Sequence, residues 1–438
     1  MNHAVAGPFP PPPACRPRWR RLSIIVLGWL CLWPAAAGAG EPGTGCREQV
    51  LQALGWRIHD DGPPVPRIAG GQPCRHGSLA QARAAGDLQL WLPRGLDAVA
   101  RQRVLAEALD DPASRCAWSI ALGQATRRAA ARLQGNPGYR FTAVQLGWIG
   151  FGLAGARAQG WAPTRSFGRG YRPAGTNAGA IEAFYSGHVR SECGVGRQVA
   201  QLAGLRELFG DAGFDRDFAP GELTIGTFAT LHDSDSILLG RHAGPLVADG
   251  KGRRAAQAGR QAFMGLPGFI EHVRPRRYLD DLNNQAENFV VTDMTADAAD
   301  ALAAHDGLAH YDALNDQLWR LSQQLPRLAR HQYQRLLDGR DARLLARFTP
   351  AQRERLARMQ ALLDDPFYRG FMVYVHPQGI RPIGFHVVRL LDLNPRTPYA
   401  IELTLHNLPT TIYRRWLEGR LRDCAATATP ATARTAGG

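Results

Sequence analysis

The chain predicts an α+β protein, and three observations carry that prediction. Apolar residues recur at three- and four-residue spacing through Leu96 to Leu109 and Cys116 to Leu133, the period of a helix. Short apolar runs at Phe269 to Val273 and Phe289 to Thr292 read as strands. Residues 369 to 406 then alternate between turn signals and predict three more strands.

The elements follow in chain order. Arg16, Arg18, Arg20 and Arg21 precede the apolar stretch Leu22 to Trp33, which is too short to span a bilayer. Ala37-Gly38-Ala39 supplies a small-residue cleavage pattern, so residues 1–39 read as a signal peptide. The expected product is periplasmic or secreted by a bacterium, with no integral membrane segment. Residues 40–160 read as an N-terminal helical region, broken at Asp110-Asp111-Pro112 and rich in glycine and aromatics from 136 onward. Residues 161–310 read as the catalytic core. It holds helices over Ala178 to His188 and Gly194 to Leu208, the second with Val199, Leu202, Leu205 and Leu208 on one face. Residues 311–424 read as helices followed by C-terminal strands with turns at Pro377-Gln378-Gly379 and Asn394-Pro395. The Ala-Thr-Pro composition of 425–438 predicts a disordered tail.

Net charge is +14, and removing the leader's four arginines, which no acid offsets, takes it to +10. That surface suits anionic cell-wall polymers or acidic proteins. The basic residues are scattered and not interleaved with aromatics, which argues against nucleic acid.

Cysteine parity gives the sharpest clue. Cys15 and Cys31 lie in the leader, so Cys46, Cys74, Cys116, Cys193 and Cys424 remain. An exported protein pairs four of five and leaves one thiol for chemistry. Cys193 is the expected odd one, and three pairings of the other four stay open. It stands at the start of a helix, whose unpaired N–H groups would raise thiol reactivity and help bind an oxyanion, with the Cys193 amide a candidate donor. Gly194 and Gly196 would leave room for substrate. The competing reading puts Cys193 in a disulfide. Downstream, Glu287 could accept or hold the thiol proton while Asn288 orients it. Glu192 reads either as a helix cap or as a second carboxylate.

Ala180-Ile181, Phe184-Tyr185, Glu192-Cys193, Pro267-Gly268-Phe269-Ile270, Glu287-Asn288-Phe289-Val290-Val291, and His305 with Gly307 stand in an order that resembles the bacterial spore-coat-type transglutaminases. The resemblance covers roughly residues 165 to 310. It departs where Gly194-Val195-Gly196 replaces Ala-Thr-Ala, where the tryptophan before Glu-Asn is missing, and where Asp306 splits His-Gly. It implies a papain-like core related to NlpC/P60 peptidases, carrying added N-terminal helices and C-terminal strands. It further implies Cys193 as nucleophile, Glu287 as its main carboxylate partner and Glu192 as a second, with Asn288 and His305 binding or orienting substrate. The implied reaction is protein-glutamine γ-glutamyl transfer. Cys193 attacks a glutamine carboxamide, ammonia leaves, and the thioester passes to a primary amine as an isopeptide cross-link. The expected partners are glutamine- and amine-bearing proteins or peptidoglycan peptides. No cofactor and no metal are expected.

Two other functions fit the same residues. One is a cysteine amidase, peptidase or deamidase using the same thiol on peptidoglycan peptides or protein glutamine. The other is a non-catalytic, disulfide-stabilised envelope-binding module. His232-Asp233-Ser234-Asp235 with His242 lacks an established metal spacing and reads as a polar loop. His376, His386 and His406 fall in separate predicted strands and could converge, with His386 a possible conventional base for Cys193.

Overall fold

The computed structural model describes residues 45–142, 160–164, 170–226, 238, 252–273, 286–386, 400–406 and 410–428. The chain divides into Met1–Glu41 and Pro42–Gly438, and everything described lies in the second unit. The expected leader, the end of the tail and the residues His232, Asp233, Ser234, Asp235 and His242 fall outside the described residues.

The first elements are α1 (Cys46–Ala53), β1 (Arg57–Gly62), β2 (Arg67–Ala69), α2 (Leu79–Ala84), β3 (Gln89–Pro93), α3 (Ala98–Asp110) and α4 (Pro112–Gly135). The break between α3 and α4 falls where expected. Asp111 accepts from the Ala113 N–H, and Pro112 sits in the first turn, where its missing donor costs nothing. The region is not purely helical, which corrects the sequence reading. β1, β3 and β2 form a sheet in that order, parallel on one side of β3 and antiparallel on the other. β1 is built from Arg57, His59, Asp60 and Asp61 and stays largely exposed at the sheet edge, so it shows no apolar alternation.

Next come β4 (Tyr139–Phe141), β5 (Trp161–Thr164), β6 (Gly170–Pro173), α5 (Asn177–Ser186), β7 (Val189–Ser191), α6 (Cys193–Phe209) and α7 (Asp211–Asp217). β4 pairs in parallel with β7, and β5 with β6 as an antiparallel pair. They are followed by α8 (Arg253–Ala258), β8 (Pro267–Val273), β9 (Ala286–Met294), α9 (Ala296–Ala304) and α10 (Ala309–Ser322). The series ends with α11 (Arg330–Leu337), α12 (Ala342–Ala346), α13 (Pro350–Leu363), α14 (Pro366–Gly370), β10 (Phe371–Val375), β11 (Gly379–Pro382), β12 (Ala400–Leu405) and α15 (Thr410–Ala428). The class is α+β. Ala425 to Ala428 continue α15, so the tail is helical further than its composition suggested. Alanine is the best helix former, and Cys424 ties this turn down.

The central sheet is antiparallel, in the order β11-β10-β9-β8-β12. Strand alternation splits its side chains between two cores. Val290 and Tyr374 join Val195, Val199 and Leu202 of α6 on one face. Phe289, Val291 and Val373 join Tyr311 of α10, Leu302 of α9 and Phe367 of α14 on the other. α4 packs against α6 and β9, so the N-terminal helices belong to the same body as the sheet.

Two disulfides close this body, Cys46–Cys424 and Cys74–Cys116, with Cα separations of 5.6 and 5.1 Å. Cys193 is free. No helix among the described residues is long and apolar enough to cross a membrane.

Candidate active site

Helix α6 begins at Cys193 because Glu192 caps it. The Glu192 carboxylate accepts from the Gly194 N–H at 2.5 Å and the Val195 N–H at 2.7 Å, at the positive end of the helix. The Gly196 N–H closes on the Glu192 carbonyl. A Cβ at position 194 would lie 2.8 Å from the carboxylate, so glycine lets the acid fold back over the turn. Those N–H groups were expected to serve the thiol. The cap takes them instead, which leaves the Cys193 N–H as the candidate oxyanion donor.

The sheet supplies the next group. Asn288 on β9 donates from Nδ2 to the Cys193 sulfur at 3.4 Å, and its backbone N–H also favours the thiolate. These bonds do not win. Burial pushes the half-buried Cys193 thiol up, the Glu192 charge adds to it, and the result is about 12 despite Asn288. The thiol is therefore protonated at neutral pH, contrary to the expectation from a bare helix start. Glu192 is itself raised by burial, against the two backbone N–H groups, a hydrogen bond from Cys193 and the charge of Arg197.

Glu287 stands one residue before Asn288, so the pleat turns its side chain to the other face of the sheet. Its cross-strand partner Ile270 lies in the core on that face. Its charge is felt by Tyr311 of α10, and at Cys193 it makes the smallest of the upward pushes. The expected primary contact between Cys193 and Glu287 is thus not the one the fold builds. The thiol meets Asn288 and Glu192. His305 also lies apart, exposed after α9, stacked on His310 at 4.3 Å, with His310 in turn 3.1 Å from Asp365. This group packs with the core on the far face of the sheet.

His376 arrives from β10. β9 and β10 pair Val290 with Tyr374, and His376 follows β10 two residues after Tyr374. Its ring stacks on Tyr139 at 3.9 Å, and Tyr139 bonds Ser191 through oxygen at 2.7 Å. A Cβ at Gly196 would lie 2.3 Å from the His376 Cβ, so this glycine admits the histidine against the first turn of α6. The space expected for substrate at Gly194 and Gly196 is thus filled by Glu192 and His376. Burial holds the His376 imidazole down at about 4, although the Arg140 and Ser191 carbonyls favour its proton. Neither carbonyl meets hydrogen-bond geometry at Nε2, and that nitrogen has no partner. The Asn288 Oδ1 is likewise buried without one.

The other histidines do not join this group. His406 follows β12 and meets Phe269 edge-on at 4.9 Å; the side chain of His386 falls outside the described residues. No group of three or more metal-binding side chains occurs among the described residues. An open groove of about 460 Å³, lined by Gln317, Arg320, Leu321, Arg358, Ala361 and Leu362, lies elsewhere on α10 and α13.

The chain matches no family model, no curated protein and no solved structure in the three comparisons. Sequence reasoning missed Arg197 and Tyr139. Arg197 has a legible signal, since it follows Cys193 by four positions, one helical turn on the same face. Tyr139 has none, because its place depends on the pairing of β4 with β7.

Proposed function

We propose that the protein is an exported cysteine acyltransferase with a papain-like core, resembling the spore-coat-type transglutaminases. The observation that carries this reading is the free Cys193 at a helix start, with a carboxamide from β9 on its sulfur and the His376 imidazole packed on Gly196 in the first turn of the same helix. A thiol on a helix, set against an antiparallel sheet that supplies the polar partners, is the arrangement that papain-like chemistry requires. The two disulfides support an oxidising compartment outside the cytoplasm.

In the proposed reaction the Cys193 sulfur bonds to the carbon of a glutamine carboxamide and the C–N bond breaks. Glu192, hydrogen-bonded to the thiol, takes the proton and returns it to the departing nitrogen, so ammonia leaves neutral. The Cys193 N–H supports the oxyanion. A primary amine then attacks the thioester, releases the thiol and forms an isopeptide bond. The half-buried state of Cys193 supports a second outcome from the same thioester, in which water attacks and the enzyme acts as a deamidase or amidase.

Ammonia release from a glutaminyl peptide, with and without a primary amine, tests the reading. Release with amine incorporation supports transfer, and release alone supports hydrolysis. No release from the wild-type protein, or equal release from Cys193→Ala, overturns both.

A further inference from the structure

Two buried polar atoms near the start of α6 have no hydrogen-bond partner. Asn288 and His376 are each 3% exposed, and the Asn288 Oδ1 and His376 Nε2 both lack a hydrogen bond. A buried polar atom left so costs free energy, and beside a candidate nucleophile a bound ligand is one way to meet that cost. Both meet the first turn of α6: Asn288 already holds the Cys193 sulfur through its other amide atom, and His376 packs against Gly196.

Their chemistry is specific. An amide oxygen only accepts hydrogen bonds. The neutral imidazole accepts at Nε2 when its proton sits on Nδ1. Tyr139 stacks over the ring and Gly196 packs against its Cβ, so the ring is held in place. Glu192, whose charge raises the thiol, lies at the same end of α6, with Arg197 one turn along. A ligand that donates two hydrogens and carries no charge fits this surrounding; a carboxylate brings neither property.

We infer that Asn288 and His376 form a two-acceptor subsite that reads the –NH2 of a primary carboxamide and rejects acids and esters. This rests on the proposed acyl-transfer reading and assigns its donor specificity. Rejection of an ester or an acid comes from leaving both acceptors unpaired, and the Glu192 charge further opposes an acid. His376 acts here through recognition, with the thiol proton left to Glu192.

Alkylation of Cys193 tests the subsite without any turnover. Iodoacetamide carries a primary carboxamide next to its reactive carbon, and methyl iodoacetate carries an ester there. The ratio of their rates at Cys193 is compared with the ratio at free glutathione, in the intact wild-type protein and in His376→Phe and Asn288→Ala. We expect wild type to favour the amide at least tenfold over the glutathione ratio, and each variant to fall to within about twofold of it. A wild-type ratio equal to that of glutathione overturns the subsite even if neither variant folds, and so does a preference that survives both substitutions. Amide preference without ammonia release from glutaminyl peptides would instead retain the subsite and overturn the acyl-transfer reading. If neither reagent reaches Cys193, both fall.

Discussion

Asn288 donates its side-chain amide to the Cys193 sulfur at 3.4 Å, across 95 positions of sequence. That bond ties the start of α6 to the mouth of β9 and fixes which face of the sheet carries the chemistry. It holds a thiol that burial and Glu192 keep protonated, so the sulfur rests neutral and is activated only when a base removes the proton.

The first consequence concerns pH. A thiol pushed up to about 12 has little thiolate at neutral pH, and that fraction grows tenfold per pH unit. Iodoacetamide alkylation of Cys193 should rise about tenfold per unit from pH 7 to 10 without levelling. A plateau near pH 8 would place the thiol in the ordinary range.

Glu192 is expected to act in two opposite directions. Its charge raises the thiol, so Glu192→Gln should lower the thiol pKa and speed alkylation at pH 8. As the proposed base it also moves the proton in turnover, so the same variant should slow ammonia release. Faster alkylation with unchanged turnover would remove it from the proton path.

His376 shapes the acid side of stability. Its folded value lies near 4, below the unfolded value near 6.5, so between these the unfolded chain binds more protons. Its contribution is complete above pH 6.5 and is lost as pH falls toward 4, roughly 3 kcal/mol in all. Urea melts of His376→Phe should show a shallower loss across that window than wild type. Parallel curves would assign the acid loss to other groups.

Gly196 offers a packing test. A methyl group there meets the His376 Cβ, which is fixed by the Tyr139 stack, so the clash cannot relax cheaply. Gly196→Ala should cost about 1–3 kcal/mol in urea unfolding. No loss would mean that β10 moves freely against α6.

Parts of this arrangement were legible and parts were not, for physical reasons. Cysteine parity singled out Cys193, and the apolar face of Val199, Leu202 and Leu205 marked α6. The strands at 269 and 289 announced themselves by composition. Which of Glu287 and Asn288 meets the thiol was not legible, because adjacent strand residues point to opposite faces and the parity is set by packing. His376 was visible only as one histidine among three, since its place against Gly196 and Tyr139 depends on how the end of β10 packs on α6. β1 was missed because a charged edge strand carries no hydrophobic period.

The most direct test is to capture the acyl-enzyme. The intact protein is incubated with a blocked glutaminyl dipeptide, quenched in acid and digested, and the Cys193 peptide is weighed. The expected mass increase is that of the dipeptide less ammonia, carried on Cys193 and absent from Cys193→Ala. A Cys193 peptide of unchanged mass while ammonia is released would contradict the account.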